Sequence, residues 1–208
     1  MSTTPITTKL FKAVAADTNA IAESQTTAEA ADLSLDGSQV VNGSANDGSN
    51  MASTVTIKSL TGNNATVDFA VTGTDASGVA LTETGITGPG TAATVTTTAA
   101  FLTVTQVAVD GAIPGTVEVG FTATTTTQGI VFAGGTRVRG MHGVSSSTAG
   151  ALIIRNGSQT GAKLLELDTP AAAGQVDPYI PDEGVRYKDG AYIDIGAGYD
   201  SATIFFDG

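Results

Sequence analysis

The 208-residue chain contains no cysteine and no tryptophan, and only one histidine. Without cysteine there can be no disulfide, no thiolate nucleophile and no cysteine-ligated metal centre. The lone histidine, His142, follows Gly140-Met141 in an alternating segment, with no second histidine to complete a metal cluster or a common nucleophile–base pair. It reads as a structural or surface residue. Aromatic residues are scarce at 5%, and charged residues make up 14%, well below the roughly 25% of ordinary soluble domains. Basic residues are scarcest, 9 against 20 acidic, giving a net charge of −11 and a sequence pI of about 4.2. Such a balance repels phosphate backbones and anionic lipid, so neither nucleic acid nor membrane is an expected partner. No run of about 18 apolar residues suggests a spanning helix, and the segment from Met1 to Leu10 lacks the apolar core of a signal peptide. The expectation is a product that stays in the cytoplasm where it is made.

Hydrophobic residues amount to 41%, so the core must be built mainly from Val, Ile, Leu and Ala. At roughly 25 cal/mol per Å² of apolar surface, such small side chains stabilise thin modules only modestly, which favours support from subunit contacts and a homo-oligomer. Alternation is the dominant pattern. Val67, Phe69 and Val71 precede the turn Thr72-Gly-Thr-Asp-Ala-Ser-Gly78, Val79 and Leu81 follow it, and the same period returns at Val107, Val109, Val117, Val119 and Phe121. A period of two marks strands with one buried face.

These signals divide the chain into four parts. Residues 1–29 read as an arm, in which Phe11, Val14, Ala15 and Ile21 mark at most a short helical face, either reaching a neighbouring subunit or fraying. Residues 30–123 form a first module, with strands expected at 31–35, 53–59, 66–74, 79–87, 94–98, 101–110 and 116–122. Seven short strands at this spacing indicate an antiparallel sandwich. Asn42 to Asn50 reads as a polar loop without assigned conformation. Residues 124–129, with four threonines, read as a short extended linker. Residues 130–208 form a second module, with strands at 129–132, 136–144, 151–155, 163–168, 175–180, 185–187, 191–195 and 202–206. Asn156-Gly157 and Asp189-Gly190 are type I′ hairpin signals, and the first suits a solvent-facing tip. The fold class is therefore all-β: two antiparallel sandwich or jelly-roll-like modules with an N-terminal arm.

The wording of the first module resembles a β module that recurs in virion structural proteins of tailed bacteriophages. The likeness runs through Phe69-Ala-Val-Thr-Gly-Thr-Asp-Ala-Ser-Gly-Val-Ala-Leu-Thr-Glu83, Gly88-Pro-Gly90, Thr96 to Val104 and Gly115-Thr-Val-Glu-Val-Gly120, with 31–37 and 54–59 upstream. Segments 134–140, 152–157, 167–170 and 184–193 are similar to a second module of phage and prophage particle proteins, one shared among head and tail components. The resemblance implies a capsid decoration or cement protein, a trimer by the habit of such proteins, located in the virion and partnered by the major capsid protein or other virion proteins. A tail, knob or fibre component is the first alternative. A carbohydrate-binding adsorption module is the second, because Tyr179, Tyr187, Tyr192 and Tyr199 all fall in the second module.

Candidate chemistry is thin. Asp182-Glu183 reads as a solvated turn, not an acid–base pair. Ser145-Ser-Ser147 lacks a Gly-x-Ser-x-Gly elbow. Asn46 to Asn50 and Asp194 to Asp200 hold oxygen donors without EF-hand spacing. Ala133-Gly-Gly-Thr-Arg137 lacks the Lys-Ser/Thr of a phosphate loop. No enzyme activity, cofactor or metal is expected. The side chains proposed for subunit or particle contact are Leu10, Phe11, Val14 and Ile21 in the arm, with Arg137 and Arg139, whose spacing of two puts them on one strand face toward an acidic surface.

Overall fold

Threonine and valine crowd the alternating segments, and β-branched side chains favour extended backbone. The computed structural model describes residues 5–181 and 183–208, all in antiparallel strands and connections, with no helix among them. Two compact units are present, and one interrupts the other: residues 14–126 form a continuous unit inserted between residues 1–13 and 127–208 of a discontinuous one. The chain opens with β1 (Ile6–Lys12) of the discontinuous unit. It then builds the inserted unit from β2 (Asp17–Gln25), β3 (Ala31–Asp32), β4 (Val40–Val41), β5 (Ser44–Ala45), β6 (Ser53–Thr61), β7 (Asp68–Thr74), β8 (Ala80–Thr87), β9 (Thr94–Phe101), β10 (Thr103–Val109) and β11 (Thr116–Phe121). The discontinuous unit is completed by β12 (Gln128–Phe132), β13 (Thr136–Ser145), β14 (Gly150–Asn156), β15 (Lys163–Thr169), β16 (Gly174–Val176), β17 (Val185–Tyr187), β18 (Ala191–Ile195) and β19 (Tyr199–Asp207).

The inserted unit is a sandwich of two sheets, β4-β5-β10-β7-β8 with β3 beside β10, and β2-β11-β6-β9. One buried cluster joins them: Phe69, Val71 and Val107 from the first sheet meet Ile21, Ile57, Phe101, Val119 and Phe121 from the second. Full burial of each large apolar side chain contributes about 1.5–3 kcal/mol, so the three phenylalanines supply what small aliphatic residues alone would not. On the outer faces threonines pair across strands, Thr74 with Thr103 at 2.7 Å and Thr61 with Thr116 at 2.9 Å. Glu83 of β8 accepts hydrogen bonds from the Thr98 and Ala99 amides at 2.8 and 2.7 Å, covering an open stretch of the β9 edge.

The discontinuous unit also has two sheets, β1-β19-β13-β16 with β17 beside β13, and β12-β18-β14-β15. Phe11, Val138, Tyr187 and Ile204 of the first sheet and Leu152, Ile154 and Ile193 of the second are fully buried.

The segment read as an arm is instead two strands. β1 pairs with β19 from Ile6↔Asp207 to Lys12↔Ser201, and β2 pairs with β11. Phe11 and Ile21 are each 0% exposed inside their own units, so neither is available to a neighbour. Threonine's preference for extended backbone, which argued against a helix here, is the reason for the strands. The junction lies at residues 126 and 127, within the threonine segment. Val14 N–H donates to Thr124 Oγ1 at 2.8 Å and Thr124 N–H returns a bond to Val14 C=O at 3.0 Å, so the two passages into the inserted unit are tied to each other.

The polar loop contains a hairpin. Asn42 and Gly43 both have positive φ, 52° and 77°, as a type I′ turn requires, and join β4 to β5. Neither Asn156-Gly157 nor Asp189-Gly190 forms that turn, since only the glycine of each pair has positive φ. Gly157 N–H bonds Gly190 C=O at 3.0 Å, and the Asn156 amide donates to Asp189 at 2.9 Å, so the two dipeptides engage each other and the first is not a free tip.

Candidate functional site

Strand β13 carries the residues singled out for charge. Its residues alternate, with Thr136 and Val138 buried and Arg137 and Arg139 toward solvent. A bulge against β19, where the register shifts between Val138 and Gly140, separates the fates of the two arginines. Arg139 turns to Asp207: Nε donates to both carboxylate oxygens at 2.9 and 3.0 Å, and Nη2 lies 2.8 Å from Oδ2. These hydrogen bonds raise the guanidinium pKa further. Arg137 instead lies directly opposite Arg186 of β17, a like-charge cross-strand pair. Its Nη1 donates to the Glu183 carbonyl at 2.8 Å, and the Glu183 carboxylate, whose side chain is 91% exposed, is 3.6 Å away. Asp182 lies outside the described residues.

Arg186 and Lys188 share the outward face of β17 and its continuation, and both are exposed. Neither has an ion-pair or hydrogen-bond partner among the described residues. Together with Arg137 they line an open cleft of about 450 Å³, with Gly135, Thr136, Asp207 and Gly208 completing its walls. Thr136 Oγ1 donates to the Asp207 carbonyl, and the Asp207 carboxylate is already held by Arg139. The cleft therefore presents three cations, of which Arg137 has the Glu183 carboxylate 3.6 Å away while Arg186 and Lys188 have no counter-charge among the described residues, an arrangement suited to a carboxylate or another oxyanion.

Charge is segregated between the units. Residues 14–126 carry 11 acidic and 1 basic side chain, net −10, and the remaining residues carry 9 and 8, net −1, together −11. The single cation of the inserted unit, Lys58, donates to Glu118 at 2.7 Å. Burial alone would raise the Glu118 pKa, but hydrogen bonds from Lys58 and Thr18, with the charge of Lys58, lower it overall.

The other candidates are committed to local structure. His142 Nδ1 lies 2.7 Å from Asp177. Ser145 Oγ donates to the Ala172 and Gly174 carbonyls at 2.9 and 3.2 Å. In the Asn46 to Asn50 loop, the buried Asp47 accepts the Ser49 amide at 2.8 Å and the Ser53 hydroxyl at 2.5 Å, so its oxygens serve the loop itself. No group of three or more metal-ligating side chains comes together among the described residues. Tyr187, Tyr192 and Tyr199 are buried, which leaves Tyr179, 84% exposed, as the one tyrosine ring open to a sugar. Leu10 is 43% exposed on the edge strand β1, and Val14 is half-buried beside Thr124. In the sequence Arg186 and Lys188 stand out, with Arg137, Arg139 and Arg155, only as the second module's positive charge. Their signal was an Arg-x-Lys spacing on a short strand, legible only once β17 is known to lie against Arg137. Comparison with protein-family models, curated proteins and solved structures finds no match.

Proposed function

We propose that the protein is a non-enzymatic structural component of a tailed-bacteriophage particle, a decoration or cement protein on the capsid exterior that bridges capsomers. One observation carries the reading: the segments that resemble the phage β module, 69–83, 96–104 and 115–120, fall on β7 to β11, the strands that build both sheets and the phenylalanine core of the inserted unit. The resembling segments thus contribute strands to both sheets of the inserted unit. Such a protein acts by surface burial. Binding to assembled shell and not to free capsid subunits stabilises the shell by mass action, without turnover. The threonine-rich, weakly charged strand faces suit close packing against other protein.

The test uses particles of the encoding phage assembled without this protein. Purified chain is added, heads and tails are separated on a gradient, and each fraction is probed. Recovery with heads, with a rise in the temperature at which they release DNA, is the expected outcome. Recovery with tails alone moves the role to the tail or fibre, and recovery with neither refutes the reading.

A further inference from the structure

The cationic cleft has an unmet electrostatic need. Arg137 and Arg186 stand directly opposite each other, a placement that destabilises a sheet unless an anion lies between them. Lys188 adds a third charge; of the carboxylates at the cleft, Asp207 is engaged by Arg139 and the exposed Glu183 lies 3.6 Å from Arg137, which leaves Arg186 and Lys188 without a partner among the described residues. We infer that this cleft receives carboxylates from the inserted unit of a second copy of the same chain, with Asp68 and Asp110 entering between Arg137, Arg186 and Lys188.

The inserted unit, at net −10, is where the chain concentrates unpaired acid. Several of its carboxylates are turned inward to the chain: Asp36, Asp75 and Glu83 accept backbone amides, and Asp32 accepts Gln106. Asp68 and Asp110 differ. Both are exposed and adjacent, with Asp110 Oδ1 accepting the Asp68 amide at 2.8 Å, while the Asp68 carboxylate has no partner among the described residues. They border a groove of about 330 Å³ whose walls include the half-buried Ala70 and Ala108. That lining suits the aliphatic stem of an arginine or lysine whose charged end reaches the carboxylates. A paired acid site with an apolar groove and a three-cation cleft are complementary in sign and chemistry, and one gene product supplies both. Because the two surfaces are different, the contact is heterologous and each copy can take one partner at each surface. The inference holds whether or not the protein decorates a capsid.

The experiment is sedimentation velocity on the full chain across a concentration series. At about 0.15 M salt the screening length is about 8 Å, so repulsion between net-negative copies is muted while contacting pairs still attract. Association rising with concentration is expected there, weakened at least about tenfold at about 1 M salt. Arg186→Glu with Lys188→Glu disables the cleft, and Asp68→Lys with Asp110→Lys disables the acid site. Each double variant alone should be monomeric with unchanged circular dichroism, and Arg186→Gln with Lys188→Gln replaces the first if its spectrum changes. Mixing the two should restore association, since the intact cleft of one meets the intact acid site of the other and the two reversed surfaces are themselves opposite in charge. A wild-type monomer at every concentration would overturn the inference. So would association insensitive to either double variant, or a mixture of folded variants that stays monomeric.

Discussion

Replacing Phe11 by alanine separates a structural strand from a detachable arm. Phe11 is 0% exposed in β1, paired with Ala202 of β19 and capped by Lys9, whose Nζ lies 5.6 Å from the ring centre. Removing the ring leaves a cavity whose lining relaxes only partly, and changes of this type cost about 3–5 kcal/mol. Loss of the cation–ring contact adds about 0.5–1 kcal/mol. The discontinuous unit comprises segments of 13 and 82 residues. At about 0.05–0.15 kcal/mol per residue its stability is roughly 5–14 kcal/mol, so the substitution removes a large fraction of it. Native-state hydrogen exchange provides the assay. Amides of β13 and β19 should lose protection by a factor of roughly 10² to 10⁴, using about 1.4 kcal/mol per tenfold change. Amides of β6 and β11, whose core contains no residue of β1, should change far less. If Phe11→Ala moved the β19 amides by less than a factor of about three, β1 would not be a packed strand and the reasoning from its burial would fail.

Two further substitutions test the packing. A Cβ on Gly73 would sit 1.8 Å from the Thr103 carbonyl oxygen of the neighbouring strand, so Gly73→Ala should force the backbone apart and cost at least about 1–3 kcal/mol in urea unfolding. A loss under about 0.5 kcal/mol would show that β7 and β10 are not in this register. The Tyr187 hydroxyl is buried with no hydrogen-bond partner among the described residues, so Tyr187→Phe should be neutral or stabilising by up to about 1–3 kcal/mol. Burial also raises the Tyr187 pKa above its ordinary value of 10.0. The unfolded chain therefore ionises first, and wild-type stability should fall as pH climbs past that value. Tyr187→Phe should flatten the decline between neutral and strongly alkaline unfolding curves, and identical curves for the two proteins would contradict it.

Strand content was legible wherever alternation was strict. Phe69, Val71, Val107 and Val109 announced β7 and β10, and their side chains are buried as that period requires. The expected strand at 175–180 stops at Val176, because Pro178 cannot continue the ladder. β1 and β2 escaped notice for different reasons. In β1 one buried residue, Phe11, stands among polar ones, which is too little alternation to register. In β2 the buried residues Ala20, Ile21 and Ala22 are consecutive, so the period of two is hidden. The Asn42-Gly43 turn was missed even though its dipeptide is the strongest short hairpin signal, because the strands it joins are two residues long. Arg137 was legible as a charged face, but its opposition to Arg186, 49 positions away, is a property of sheet order, which no local pattern encodes.

The insertion imposes an order on synthesis. Every strand of the inserted unit finds its partners within residues 14–126, whereas β1 is separated by 189 to 201 residues from the β19 positions it pairs with. At roughly 5–20 residues per second, β1 emerges from the ribosome roughly ten to forty seconds before its partner. During that interval the nascent chain carries a finished acidic module flanked by an unpaired edge strand bearing Phe11. Since β19 lies between β1 and β13, a chain interrupted anywhere before residue 199 cannot close that sheet. Chains cut short before β19 would keep a folded inserted unit beside an unfinished, protease-sensitive remainder.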